Sequence, residues 1–333
     1  MSTLGRAAVT GATGFLGGAL VKRLRPEQEV AVLVRPGQEG AVNPPPDGLR
    51  TIGGDLDDDS ALAALVRGAD TVYHCAAFMG KNAPDRSWRV NVHGTERLAR
   101  IAAAAGVRRF VYVSSISVLS ATHNPTGTVD EDQTPSGIGT LNHYARTKYE
   151  GELRVRRVGE TQGLPWTIIR PTNVYGPGSR PWFHQWESFL RRCPVAFGEI
   201  PVDLVHVDDV VEGLVGAARS EPASEGLFHV GHESVPLRDF LCGIGGVIGQ
   251  DLRDVPRLVD RIIRRAIDGG YRLVTGHRMS LSLVRPVAYP HTLAHGTFGY
   301  APQVPLAEGL KRLEAWYGGR TGRPCGSQDS GSY

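Results

Sequence analysis

Arg6-Ala-Ala-Val-Thr-Gly-Ala-Thr-Gly-Phe-Leu-Gly17 is a short apolar run that breaks into glycines at 11, 14 and 17 and passes directly into Ala19-Leu-Val-Lys-Arg-Leu24. The order reads strand, tight turn, helix. Glycine at such a turn lets backbone N–H groups approach an anion, and a helix starting near Gly14 points its positive end at the same place. The stretch predicts a dinucleotide site whose contacts are Gly11, Thr13, Gly14, Phe15, Leu16 and Gly17. A second apolar strand, Val30-Ala-Val-Leu-Val34, arrives after one helix, which is the context such a glycine trio requires.

The spacing is Gly-x-x-Gly-x-x-Gly. It is similar to the fingerprint of the short-chain dehydrogenase/reductase superfamily, and Gly-Ala-Thr-Gly-Phe-Leu-Gly resembles its extended, NAD-dependent epimerase/dehydratase-like branch. That resemblance implies a doubly wound parallel α/β Rossmann sheet with a smaller C-terminal substrate lobe. The expected boundaries are 1–171 and 204–231 for the dinucleotide-binding domain, 172–203 and 232–317 for the lobe, and 318–333 for a polar, glycine-rich disordered tail.

Arg35 stands at the end of the second strand, where the adenosine ribose lies in this fold, and no acid stands beside it. An acid there hydrogen-bonds the ribose 2′-OH, whereas an arginine can pair a 2′-phosphate, so NADP(H) is expected ahead of NAD(H). Asp55-Leu56, after the third strand Leu49–Ile52, resembles the family's adenine-holding pair. Asp57 to Ser60 read instead as the cap and acidic first turn of a helix over Ala61–Val66. The fourth strand, Thr71–Cys75, runs into Ala76-Ala77, small enough for close approach to a cofactor, and then Phe78-Met79, which line a pocket or join the core. A helix is expected over 87–105, and Asn91 within it resembles the family's helix asparagine.

Ser114-Ser115 ends the fifth strand at the carboxyl edge, where open α/β sheets bind ligands. Tyr144-Ala-Arg-Thr-Lys148 follows on a helix predicted to reach about Thr161. Positions i and i+4 share a helix face, so the ammonium is expected to stabilise the phenolate and lower the tyrosine pKa. Glycine trio, Ser-Ser and Tyr-x-x-x-Lys in this order closely resemble the extended family, which implies an enzyme with Ser115, Tyr144 and Lys148 as catalytic triad. Tyr144 and Lys148 also contact the cofactor, with Pro171 from Arg170-Pro-Thr-Asn-Val-Tyr-Gly-Pro-Gly178. The resemblance continues through His206-Val-Asp-Asp209 and Phe298-Gly-Tyr-Ala-Pro302.

Substrate contacts are expected at Phe78, Ser115, Asn173, Trp182 and Trp186. Trp182, Trp186 and Phe189 recur at helical spacing, a pattern that favours core. Family members acting on nucleotide sugars carry an arginine where this chain has Val202, while Asn173 matches their substrate asparagine. Arg180, Arg191 or Arg192 are the available substitutes. The missing arginine and Arg35 together tilt the reading to the hydroxysteroid dehydrogenase/flavanone reductase branch. The expectation is an NADP(H)-dependent ketoreductase or alcohol dehydrogenase, with hydride passing between nicotinamide C4 and a secondary alcohol or ketone carbon. The alternative is an NAD-retaining nucleotide-sugar epimerase or dehydratase. A non-catalytic redox-sensing protein has no need for the triad.

The 333 residues include 37 Lys+Arg and 34 Asp+Glu, for a net charge of +3. The charges are interspersed apart from a basic stretch between Arg253 and Arg278, which argues against a nucleic-acid partner. No signal-peptide layout and no apolar run of membrane-spanning length is present, so a cytoplasmic protein with no membrane partner is expected. Cys75, Cys193, Cys242 and Cys325 are far apart and read as free thiols. His291 and His295 lack a third ligand nearby, so no metal is expected. The family implies a homodimer through the helices near 87–105 and 142–161.

Overall fold

In the computed structural model, which describes residues 5–38, 49–80, 83–119, 127–133, 135, 143–256 and 287–321, the chain alternates strands and helices from its start. The first half runs β1 (Ala7–Thr10), α1 (Phe15–Leu24), β2 (Val30–Val34), β3 (Leu49–Gly53), α2 (Asp59–Val66), β4 (Thr71–His74) and α3 (Pro84–Trp88). A π-helical segment over Arg89–Gly94 leads into α4 (Thr95–Ala104), β5 (Arg109–Val113), α5 (His143–Gln162) and β6 (Trp166–Pro171). Then come β7 (Asn173–Tyr175), α6 (Arg180–Arg192), β8 (Val195–Ala196), β9 (Pro201–His206), α7 (Val207–Arg219) and β10 (Gly226–Val230). The chain closes with β11 (Glu233–Pro236), α8 (Leu237–Ile248), β12 (Arg253–Asp254), α9 (Thr292–Phe298) and α10 (Leu306–Thr321).

Seven strands form one parallel sheet in the order β10-β6-β5-β4-β1-β2-β3. β1 and β2 are buried at every residue, as strands covered on both faces must be, and their unbroken Ala/Val/Leu runs suit that position. One face packs Leu20 and Leu24 of α1 against Val210 and Leu214 of α7. The other packs Leu62 of α2, Leu98 of α4 and Val155 of α5. The strand order reverses between β1 and β4, and the crevice above that reversal is where open sheets of this kind take a ligand.

A smaller body joins this sheet. β11, β9 and β7 make a second sheet, and Phe183, Leu190, Phe240, Ile244 and Leu313 form its separate apolar core with α6, α8 and α10. The fold is thus the doubly wound α/β sheet with added C-terminal helices. No helix among the described residues is long and apolar enough to cross a membrane. The Pro44–Pro46 loop, the basic stretch from residue 257 onward, Cys325 and positions 322–333 of the expected tail lie outside the described residues.

The helix expected over 87–105 is not uniform, because its middle widens into the π-helical segment. Asn91 sits in that segment with its amide turned out of the ladder, accepting from the Phe78 N–H at 2.7 Å and donating to the Phe78 carbonyl at 3.0 Å. One side chain therefore fixes the segment after β4, and segments of this type recur at functional sites.

His74 and His229, at or near the ends of β4 and β10, are fully buried. Burial, reinforced by Lys148 for the first and by Arg170 for the second, pushes both imidazoles down to about 3. They stay neutral in the folded protein and become charged in the unfolded chain below about pH 6.5. The unfolded state then binds more protons, so stability present above pH 6.5 is lost as pH falls, by about 1.4 kcal/mol per pH unit per histidine. Urea unfolding of His229→Gln between pH 6.5 and 4.5 should show a pH slope flatter than wild type by about that amount; equal slopes would refute a neutral buried His229.

Candidate active site

Gly11 lies in the left-handed region at φ 76, with the backbone of Ala76 so close that a Cβ on Gly11 would meet the Ala76 nitrogen at 2.7 Å. A Cβ on Gly17 would stand 2.2 Å from the Gly11 carbonyl oxygen. Both positions therefore exclude a side chain, and α1 is docked directly on the turn. Gly14 caps α1 without a side-chain bond, so the amides of the first turn are left to an outside acceptor. Thr13 is exposed, and Phe15 and Leu16 are half-buried at the rim. This cradle of backbone donors, clear of side chains at the crevice, fits a dinucleotide pyrophosphate.

On the adenosine side, Asp55 is exposed and its Oδ1 accepts from the Leu56 N–H at 2.7 Å, while Leu56 is a core residue. Asp58 caps α2, accepting from the Ala61 N–H at 3.0 Å. Arg35 is exposed, and its Nη2 donates to Gln38 Oε1 at 2.9 Å within its own turn. Ala76 stands beside Gly11, where Thr10 Oγ1 accepts from the Ala76 N–H at 3.3 Å, and Ala77, next in the chain, is exposed. His74 extends that tie inward. Thr10 Oγ1 and His74 Nδ1 are 2.6 Å apart, and His74 Nε2 lies 2.9 Å from Thr95 Oγ1. Thr95 donates onward to the Asn91 carbonyl at 2.8 Å, so consistency places the imidazole proton on Nε2.

Ser115, Tyr144 and Lys148 come together at the carboxyl edge of β5. The Ser115 hydroxyl shares a hydrogen bond with the Tyr144 phenol. The sequence leads one to expect that Lys148 lowers the tyrosine; instead burial pushes Tyr144 up to about 12, with the Ser115 bond pulling the other way. Lys148 is 2% exposed and burial pushes it down to about 7, against the opposing pull of Cys75 and Glu152. Its Nζ lies 4.3 Å above the Tyr112 ring. Desolvation is the largest effect on both groups, because each loses hydration in its charged form.

Beneath the triad lies a set of residues that motif reasoning missed. Ser114 Oγ donates to Glu152 Oε1 at 2.5 Å, and Arg170 grips the same carboxylate through Nε at 2.8 Å and Nη2 at 2.7 Å. The signal was present: Tyr144, Lys148 and Glu152 are successive i+4 positions on one helix face. Pro171 ends β6 next to Arg170 and pairs with Val230.

The substrate-side expectations separate. Phe78 is half-buried with the Arg86 guanidinium 4.8 Å above its ring. Asn173 spends its Nδ2 on the Asp203 carbonyl at 2.9 Å, tying β7 to β9. Trp182 and Trp186 pack on Phe240, with ring centroids at 5.2 and 6.3 Å. Val202 is buried in the same apolar cluster. Among the described residues no group of three His, Cys, Asp or Glu side chains is placed to hold a metal ion.

The profile of the NAD dependent epimerase/dehydratase family matches residues 7–231. A 3-beta-hydroxysteroid dehydrogenase of Mycolicibacterium neoaurum is 28% identical over 317 residues, covering 90% of this chain and 85% of its own. The solved structure of MoeE5 in complex with UDP-glucuronic acid and NAD superposes with a TM-score of 0.74 at 26% identity, over 96% of this chain and 100% of that one. DesIV, a dTDP-glucose 4,6-dehydratase from Streptomyces venezuelae solved with NAD and TYD bound, gives 0.75 at 25% identity, over 95% and 98%. These NAD complexes overturn the NADP(H) preference read from Arg35. The physical reason is visible at Arg35, whose single exposed guanidinium is engaged by Gln38 and has no second cation converging with it in its turn. With the profile spanning the whole seven-stranded sheet and the solved relatives aligned over nearly the full chain, the protein belongs to the NAD-dependent epimerase/dehydratase family of extended short-chain dehydrogenases/reductases, a family of enzymes.

Proposed function

We propose that this enzyme uses NAD(H) to oxidise a secondary alcohol carbon of a small molecule and then reduce it again, retaining the cofactor, as an epimerase or dehydratase does. The observation that carries this reading is the Ser115–Tyr144 hydrogen bond, with Lys148 one turn along, at the sheet edge that also holds the Gly11 cradle. The family profile and the NAD-bound nucleotide-sugar relatives support it ahead of a free-standing NADP(H) ketoreductase.

In this reading the first-turn amides of α1, with Thr13 to Gly17, hold the pyrophosphate, and Asp55 and Leu56 flank the adenine. Ala76, Ala77 and Pro171 line the nicotinamide end. Bound NAD supplies the two-electron acceptor. Tyr144 takes the proton from the substrate hydroxyl and later returns it, Ser115 orients that oxygen and through its hydrogen bond favours the phenolate, and the Lys148 ammonium holds the ribose hydroxyls. Phe78 is the substrate-facing aromatic in the segment after β4, while Trp182 and Trp186 belong to the small-lobe core around Phe240.

A second reading, net oxidation of a hydroxysteroid-like alcohol, is favoured by buried Val202, which replaces the arginine expected for a nucleotide diphosphate, and by the hydroxysteroid dehydrogenase relative. Heat-denatured protein should release NAD, and dTDP-glucose or UDP-glucuronic acid should be converted without net accumulation of NADH. Stoichiometric NADH from a 3β-hydroxysteroid would establish the second reading instead. Absence of bound or bindable NAD would overturn both.

Replacing Tyr144 with Phe should lower turnover by about 10²–10⁴-fold while leaving NAD binding within a few-fold of wild type. Unchanged turnover would remove Tyr144 from the chemistry. Cofactor binding should also be linked to protons. Burial pushes Lys148 down to about 7, and hydroxyl acceptors favour its charged form, so binding at pH 8 should take up close to one proton. Affinity should then fall by up to about tenfold per unit above pH 7. Calorimetry in two buffers of different ionisation enthalpy reads the uptake, and Lys148→Met should abolish it.

A further inference from the structure

Three chain segments bearing the proposed reactive groups converge on a single buried carboxylate. Glu152 is 1% exposed and Arg170 2% exposed, and their contact is bidentate. Glu152 Oε1 also accepts from Ser114, whose neighbour in the chain is Ser115. The neighbour of Arg170 is Pro171. Glu152 itself lies two turns along α5 from Tyr144 and one turn from Lys148. β5 and β6 are already joined here, with the Ser114 N–H donating to the Ile169 carbonyl at 2.7 Å. α5 is pressed against β5 at Gly151, where a Cβ would stand 2.3 Å from the Tyr112 hydroxyl. That hydroxyl donates to the Lys148 carbonyl at 3.3 Å.

Building on the proposed function, we propose that Glu152 is a positioning residue for the reaction: by binding Ser114 and Arg170 together it sets the separation between the Ser115 hydroxyl, the Tyr144/Lys148 face and the Pro171 end of β6. A carboxylate is suited to this task. It offers several acceptor sites to a planar guanidinium and a hydroxyl at once, and a charge-assisted bidentate pair fixes orientation as well as distance. Glu152 has a second effect, on charge. The groups facing the Lys148 ammonium are Cys75 and neutral His74 from the β4 end, Tyr112 from β5, and Glu152 on its own helix, one turn after it as Tyr144 is one turn before. Of these, Glu152 is the acid, and its field favours the protonated lysine.

A buried ion pair that only held the fold would lower the melting temperature when broken and change nothing else. The test therefore compares Glu152→Gln and Ser114→Ala with wild type, using NADH binding followed by fluorescence from pH 5.5 to 9 and steady-state kinetics with whichever of dTDP-glucose, UDP-glucuronic acid or a 3β-hydroxysteroid the wild type converts. In Glu152→Gln the pH above which NADH affinity declines should move down by about one unit. In Ser114→Ala, which keeps the ion pair, that limb should stay in place while kcat falls about tenfold or more with KM little changed. An unmoved limb in folded Glu152→Gln, or an unchanged kcat in Ser114→Ala, overturns the positioning role. Should Glu152→Gln not fold, Ser114→Ala decides. Failure of the wild type to bind NADH would instead sink the functional reading itself.

Discussion

Everything at the crevice depends on one steric contact, the carbonyl oxygen of Gly11 against the α-carbon of residue 17. With a Cβ at 17 the separation would be 2.2 Å, so α1 could not seat on the end of β1. Seating it there does two things. It brings the axis of α1 over the sheet so that Leu20 and Leu24 reach the core beside α7, and it aims the unsatisfied amides of the first turn at the gap between β1 and β4. Packing and anion binding are thus consequences of the same absent side chain. The glycine at 11 is needed for a related reason, since the end of β4 closes on it from the other side.

A second constraint is dielectric. The residues under the triad are polar, yet nearly all are shielded from water, and burial there decides which groups carry charge. His74 stays neutral at ordinary pH and is a directional connector between Thr10 and Thr95. Glu152 and Arg170 remain a pair because separating them would leave one buried charge without a partner, a loss of about 3–5 kcal/mol in comparable cases. Lys148 has no hydrogen-bonded counter-ion among the described residues; Cys75, the field of Glu152 and the face of Tyr112 oppose its desolvation without overcoming it, so its charge is the one most easily lost. A site whose cation is poised near neutrality responds to what binds there.

These two constraints differ in how visibly they are written in the chain. The turn was legible because glycine spacing reports sterics directly, and the strands were legible because β1 and β2 are apolar throughout. The convergence of Ser115, Tyr144 and Lys148 could be read from order and helical period. Of the network below them only the placement of Glu152 on the Tyr144/Lys148 face was legible; its partners Ser114 and Arg170 lie 38 and 18 residues away and meet it only when β5, α5 and β6 pack. The π-helical segment was hidden for the same reason: Asn91 leaves the helix pattern to serve Phe78, thirteen residues earlier in the chain.

The sequence clues that misled share a physical cause, namely that a single residue type was taken for a multi-donor site. A 2′-phosphate presents three acceptor oxygens and up to two charges, and one exposed arginine already bonded to Gln38 does not enclose it. Asn173 is a different case: its amide nitrogen holds β7 to β9, a structural bond that its residue type alone did not announce. At 202 the strand faces the apolar core around Phe240, so an arginine there would have to be buried or would displace the packing of α8. Arg191, on the last turn of α6, is held by Glu187 at 3.2 Å and Tyr317 at 2.8 Å. The side chains at 173, 191 and 202 are thus each already committed within the fold, two to hydrogen bonds and one to apolar packing around Phe240.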